Sequence, residues 1–241
     1  MGIGQAIAAR LAEAGAGVLV ADHDGAAAAE AVAAITASGG RAIAHTADVA
    51  RIGDAEGAME LAHASFGQLD ILVNNAGVFP MRPALEIDEA LWDHVLDVNL
   101  KGAFFWAQAA ARTMIASGAG GSIVNIASID ALHPTGALAH YDASKAGRVM
   151  LSQSLALEFG VHGIRVNAIA PGGIDTPGVR ALSAPAPGAP PPDLSSFLNR
   201  IPLRRMGVPD DIALAALFCA SDMSRYMTGT LNVLDGGYLL S

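Results

Sequence analysis

Three side chains stand in a pattern that could move a proton: Ser128, then Tyr141 twelve intervening residues later, then Lys145 four places on. Residues four apart on a helix share a face, so the Lys145 ammonium can sit beside the Tyr141 phenol. A phenol titrates near ~10 when unperturbed, and a neighbouring cation favours the phenolate, which moves the group toward a useful acid/base range. The chain has only three tyrosines and two lysines, so this spacing rarely arises by composition alone. The same pair on a solvated helix face would do no chemistry. Ser128 argues against that alternative, because it ends an apolar run, GSIVNIAS, whose terminal hydroxyl can face a ligand crevice.

The elements that must position these groups follow from hydrophobic pattern. Short runs rich in Val, Ile and Leu at 17–22, 41–48, 69–77, 121–128, 164–172 and 230–237 read as strands ending in polar or glycine-rich turns. Between them lie Ala-rich segments of helical period at 3–14, 25–38, 51–66, 88–97, 101–116, 142–160 and 209–221. That alternation predicts an α/β fold of Rossmann type, a doubly wound parallel sheet with helices on both faces, in which ligands bind at the carboxyl ends of the strands. The 241 residues suit a single domain. One segment breaks the rhythm: 176–196 carries half of the prolines and reads as irregular, with 177–196 a substrate loop, either a lid over the site or an insert.

The chain begins MGIGQAIAARLAEAG, where Gly2, Ile3 and Gly4 lead into a helix and Asp22 ends the following strand. Glycines at a helix N-terminus let a pyrophosphate approach the backbone, and an acid about 20 residues later can take ribose hydroxyls. Half a glycine motif is weak by itself, since glycines often precede Ala-rich helices.

Taken with NNAG at 74–77, VNLKGAFF around Asn99, IAS at 126–128, YDASK at 141–145, PGGIDT at 171–176 and the terminal LDGG, this order and spacing resembles the short-chain dehydrogenase/reductase family, in its short single-domain branch. The resemblance spans nearly the whole chain. It implies an NAD(H)-dependent oxidoreductase that interconverts a secondary alcohol and a ketone, with Tyr141 as general acid/base, Lys145 on the nicotinamide ribose, Ser128 on the substrate oxygen and Asn99 positioning a water in a proton relay. The cofactor contacts it implies are Gly2, Ile3, Gly4, Asp22, Asp48, Val49, Asn75, Ala76, Gly77, Tyr141, Lys145, Pro171, Gly172, Ile174 and Thr176. Asp22 favours NAD, because its carboxylate accepts both ribose hydroxyls and repels a 2′-phosphate. The resemblance also implies that the first strand and the Thr-Gly-x-x-x start of the phosphate loop, which stand directly before a GIG like Gly2–Gly4, are absent from an amino-terminally shortened chain. A cofactor-impaired or non-catalytic binding protein on the same fold is the alternative this raises. An epimerase or dehydratase of the longer branch would need an additional carboxyl-terminal domain.

The remaining composition sets bounds. A net charge of -9 withholds the electrostatic attraction that nucleic acid or an anionic membrane surface would require, and no apolar run is long enough to span a bilayer. The partner is therefore expected to be a small molecule. Cys219, the only cysteine, reads as a core thiol, which fits a reducing, cytoplasmic setting. Seven dispersed histidines lack metal-ligand spacing, so no metal is expected; His133 and His140 either border the substrate pocket or are ordinary loop residues. Small residues on two helices, Ala143, Ala146, Gly147 and Met150 on one and Ala103, Ala107, Ala110 and Ala111 on the other, predict close helix contacts in a homo-oligomer, most simply a tetramer.

Overall fold

A computed structural model describes residues 2–182 and 194–241. Six strands form where Val, Ile and Leu concentrate: β1 Gly17–Asp22, β2 Arg41–Thr46, β3 Ile71–Asn74, β4 Gly121–Ile126, β5 Ile164–Pro171 and β6 Leu231–Leu234. The helices are α1 Ile3–Glu13, α2 Gly25–Ala37, α3 Ile52–Phe66, α4 Glu89–Leu96, α5 Gly102–Ser117, α6 Ala139–Phe159, α7 Pro177–Leu182, α8 Ser195–Asn199 and α9 Pro209–Ala220. Local signals set their ends. Asp24 caps α2 by accepting from the Ala26 and Ala27 N–H groups, left-handed glycines at Gly67 and Gly118 terminate α3 and α5, and Pro209 opens α9.

All strand pairs are parallel, and β3, β4, β5 and β6 are neighbours in that order. Alternate residues of β4 face opposite layers. Ile123 packs with α3, α5 and α6 through Met59, Ala107, Met114 and Leu155, whereas Val124 packs with α1 and α9 through Ile7, Leu11, Ile212 and Ala216. The doubly wound arrangement is therefore present. Cys219 is fully buried in the second of these layers.

The sheet is in two parts. β1 pairs with β2 alone, and among the described residues no strand lies between β1 and β3. The two parts are nevertheless covered by the same layers: Leu19 and Ala21 of β1 join the α3–α5–α6 cluster, and Val18 joins the α1–α9 cluster.

Three expectations need correction. The stretch after Thr176 was expected to be irregular, yet Pro177–Leu182 is helical, with the Thr176 hydroxyl accepting from Val179 N–H and proline at the first helical position; residues 183–193 of the expected loop lie outside the described residues. The predicted helices 88–97 and 101–116 are not separated by a loop but joined by a π-helical turn, Asp97–Lys101. Finally, Ala103, Ala107, Ala110 and Ala111 of α5 are buried within the subunit against the sheet, so they do not form an exposed contact surface. Ala143, Ala146 and Met150 of α6 are exposed.

Gly120 has a φ of +73°, and a Cβ there would lie 2.7 Å from the Gly163 carbonyl oxygen. Backbone conformation and close approach both demand glycine at the entry to β4. Gly120→Ala is expected to cost about 1–3 kcal/mol, read as a lower urea midpoint at unchanged slope.

Candidate active site

The site forms at the carboxyl ends of β3, β4 and β5, where the chain turns out of the sheet. β4 ends at Ile126, and Ser128 follows in extended backbone, its side chain accepting from the Asp130 N–H at 3.1 Å. Helix α6 begins three residues earlier than the periodicity predicted, which places both Tyr141 and Lys145 on regular helix. The Lys145 Nζ lies 5.5 Å from the Tyr141 ring centre. Lys145 is buried and donates to the Ile126 carbonyl at 2.9 Å. Phe79, beyond the NNAG turn, stacks obliquely on Tyr141 with ring centres 6.0 Å apart.

Asn99 occupies the π-helical turn and is fully buried. Its side chain is tied to the other elements: Oδ1 accepts from Val78 N–H at 2.8 Å, and Nδ2 donates to the Val78 carbonyl at 2.9 Å and to Ser144 Oγ at 3.0 Å. The extra residue of a π turn swings Asn99 inward from the helix, a geometry frequent at functional sites. Asn99 thus holds the strand end carrying Gly77 and Val78 against α6, rather than presenting free side-chain atoms to a water.

Burial decides the acidities. Desolvation pushes the Tyr141 phenol up to about 12, a hydrogen bond with Ser128 and the charge of Arg148 pull it back, and Asp130 and Asp142 push it further up. The sequence reading expected the opposite direction, on the ground that Lys145 would be a strong cation. Lys145 is itself held well below its ordinary value, first by burial and then by repulsion from Arg148. The site therefore favours the protonated phenol, the form that donates a proton.

Arg148, which the sequence reading did not single out, is buried one helical turn beyond Lys145. It donates to four backbone carbonyls: Asn99 at 2.7 Å, Ile126 at 2.9 Å, Ala76 at 3.1 Å and Asn74 at 3.2 Å. A charged residue on the α6 face that carries Ser144, Lys145 and Ser152 was the available signal. Asp130 was missed as well; it accepts from Ser128 Oγ and from Thr135 Oγ1, each at 2.9 Å.

The residues expected to hold a dinucleotide lie along the same edge. Gly2 caps α1 with open space where a Cβ would stand, and a Cβ on Gly4 would meet Asn75 Nδ2 at 2.6 Å. At Gly77 a Cβ would come within 3.1 Å of Asn99 Oδ1 and 3.4 Å of Lys145 Nζ. A Cβ on Gly172 would stand 2.7 Å from Asp235 at the end of β6. Gly4, Gly77 and Gly172 are thus required because neighbouring protein atoms come close, whereas Gly2 faces open space at the α1 N-terminus, where an anionic group can approach the backbone. Asp22 ends β1, with its carboxylate oriented by the Asp24 N–H at 2.9 Å and His23 Nδ1 at 3.0 Å. Beside it His23, Thr46, Asp48 and Arg51 line a cavity of about 380 Å³ suited to the adenosine end. Asp48 is braced there by Asp54, which accepts its N–H at 2.8 Å, with Val49 following. Ile174 is buried and bridges to Gly207, ahead of Thr176. His140 is buried on α6, and His133 is exposed and faces the Tyr238 ring at 6.5 Å.

A family model described as enoyl-(acyl carrier protein) reductase matches residues 1–239. The chain belongs to the short-chain dehydrogenase/reductase family. An L-rhamnose 1-dehydrogenase (NAD(P)(+)) from Azotobacter vinelandii is 39% identical over all of this chain and 93% of its own length. A 2-dehydro-3-deoxy-D-gluconate 5-dehydrogenase from Escherichia coli is 38% identical, with 99% of this chain and 91% of the relative covered. The crystal structure of a short-chain type dehydrogenase/reductase from Mycobacterium marinum superposes with a TM-score of 0.92 at 35% identity, covering 100% of this chain and 92% of that one. As a member of this family the chain is an oxidoreductase, and family members act with a nicotinamide cofactor.

Arg148→Met should remove a donor from four carbonyls, of which Ile126 keeps Lys145, and leave the segments they belong to without their common anchor. A loss on the order of 3–5 kcal/mol in unfolding free energy is expected, larger than for Arg148→Lys.

Proposed function

We propose that this dehydrogenase interconverts a secondary alcohol and a ketone, with NAD preferred over NADP, and that Tyr141 is its general acid/base. The observation that carries the reading is the convergence of Tyr141, Ser128 and Lys145 at the strand ends, with Gly77 close against Lys145. A binding protein on this fold would have no use for a buried lysine placed beside a buried phenol.

When bound, the nicotinamide supplies the hydride acceptor for oxidation or the hydride donor for reduction. Gly2 to Gly4, Asp22, Asp48, Val49, Asn75 to Gly77, Pro171, Gly172, Ile174 and Thr176 would hold it along the strand ends, and Lys145 would take the ribose hydroxyls. In reduction, the Tyr141 phenol gives its proton to the substrate oxygen while Ser128 hydrogen-bonds the same atom as negative charge develops there. In oxidation, the Tyr141 phenolate takes the hydroxyl proton, and Ser128 and Arg148 favour that anion. Asn99, Ser144 and Arg148 position these groups through the backbone.

The preference for NAD rests on the Asp22 carboxylate, oriented at the end of β1. A second copy of the chain is expected to pack on the exposed α6 face at Ala143, Ala146 and Met150, within a tetramer.

Tyr141→Phe should reduce turnover by about 10²–10⁴-fold, the usual share of a general acid, while an NADH fluorescence titration stays essentially unchanged. Full turnover in this variant would overturn the assignment. Asp22→Ala should narrow the NAD-to-NADP ratio of kcat/KM by roughly tenfold, equivalent to about 1.4 kcal/mol. A wild-type enzyme that already prefers NADP would refute the argument from Asp22.

A further inference from the structure

Ser128 has one proton, and the structure gives it to Asp130. The Ser128 hydroxyl donates to Asp130 Oδ2 at 2.9 Å, while Thr135 donates to Oδ1 at 2.9 Å. The carboxylate is fixed from both sides of the short turn that follows β4, and it remains partly exposed. Among the described residues it forms no ion pair: Arg148 donates to backbone carbonyls, and the Lys145 ammonium, bonded to Ile126, feels the Asp130 charge only through space. Ser128 also acts on Tyr141, where it favours the ionised phenol, so the one serine proton is shared between the demands of carboxylate and phenol.

The bond to Asp130 withholds from the substrate the serine proton that carbonyl reduction needs. A carboxylate only accepts hydrogen bonds, so the proton is released when another donor takes its place on Asp130. A hydroxyl on the carbon next to the reacting one is such a donor, at the distance that separates neighbouring oxygens of a polyol. An unsubstituted alkyl or acyl neighbour offers no donor, and a carboxylate neighbour is repelled.

We propose that Asp130 is a specificity-determining residue that selects substrates with a hydroxyl adjacent to the reacting carbon, a sugar or polyol, by accepting that hydroxyl while Ser128 turns its proton to the reacting oxygen. The proposal rests on the alcohol–ketone reading above. The relatives named for rhamnose and for a deoxygluconate derivative act on compounds of this chemical type.

The test measures NADH formation from matched pairs that differ only in the neighbouring hydroxyl: butane-2,3-diol against butan-2-ol, and D-glucose against 2-deoxy-D-glucose. The wild-type enzyme is expected to favour the hydroxylated member by at least about tenfold in kcat/KM, the kind of discrimination a site built to bond a hydroxyl achieves. Asp130→Ala should collapse that ratio toward one, and Asp130→Asn, which keeps an accepting oxygen, should retain part of it. A purely structural role would lower both members alike and leave the ratio standing, which would overturn the proposal. Equal use of both members by the wild type, or turnover of butan-2-ol alone, would overturn it while leaving the alcohol–ketone reading intact. Binding of NADH with no oxidation of any alcohol would instead sink the reading on which it rests, and the proposal with it.

A second readout is the pH profile. Tyr141 is faced by Asp130 from the turn after β4 and by Asp142, Lys145 and Arg148 from its own helix. Asp130 makes the phenol a weaker acid, so Asp130→Asn should move the rise of oxidation rate to lower pH. An unmoved profile together with an unmoved ratio would overturn the proposal.

Discussion

Two buried cations held by backbone carbonyls are the constraint around which this site is built. Lys145 and Arg148 lie on one face of α6, and both donate to the Ile126 carbonyl at the end of β4. Arg148 alone gathers four carbonyls from β3, from the NNAG turn, from the π-helical turn and from β4. An unpaired buried charge costs several kcal/mol, and here that cost is offset by hydrogen bonds rather than by an opposite charge. The consequence is geometric. Every loop that reaches the reacting atoms is tied to one guanidinium, so their separations are set by its size. Below it Asn74 donates to Asn125, Asn125 to Ser152, and Ser152 back to the Arg148 carbonyl, so that β3, β4 and α6 share one satisfied polar layer.

Much of this was legible in the residues, for reasons that differ by element. The strands at 17–22 and 121–126 and the helices at 3–13 and 52–66 were recoverable because apolar period alone decides them. The π-helical turn at Asn99 was not, since its sequence, DVNLK, carries no breaker and the extra residue is dictated by the pull of Val78 and Ser144 on a buried amide. The fate of the alanines on α5 was misread for a related reason: a small residue suits both an external helix contact and a tight fit on a sheet, and only the layer topology tells them apart. The weakened acidity of Tyr141 was missed because spacing reports which charges are near but not how much water surrounds them.

The divided sheet shows which forces hold the halves in register. Hydrogen bonding does not cross from β1 to β3, so the two parts are related through side chains: Leu19 and Ala21 in one layer, Val18 in the other, each packed with helices that also cover β3 and β4. Helix α1 is anchored from the far side as well, where the Arg10 guanidinium meets both oxygens of Asp210 on α9 at 2.6 and 2.7 Å. Apolar packing is not directional, whereas a strand ladder fixes register residue by residue. The adenosine end of the site, carried by β1 and β2, is therefore held less specifically to the catalytic end than β3 to β6 are to one another.

That division also separates the two tasks of the enzyme. The groups proposed to hold the cofactor by charge, Asp22 and Asp48, sit on the part joined through packing, whereas Ser128, Tyr141, Lys145 and Asn99 sit on the continuous ladder and its buried basic residues. Proton transfer demands the stricter geometry, because a donor displaced by 1 Å loses most of its effect, while a ribose hydroxyl can still find a carboxylate across a small shift. Within the stricter part, the order of acidity is set by water exclusion first and by charge second. The phenol is raised by burial, Asp130 adds to that rise, and Arg148 opposes it from within the helix. A protonated Tyr141 next to a Ser128 whose proton is held by Asp130 is therefore the resting arrangement, because burial keeps the phenol neutral and the carboxylate offers the serine its nearest acceptor.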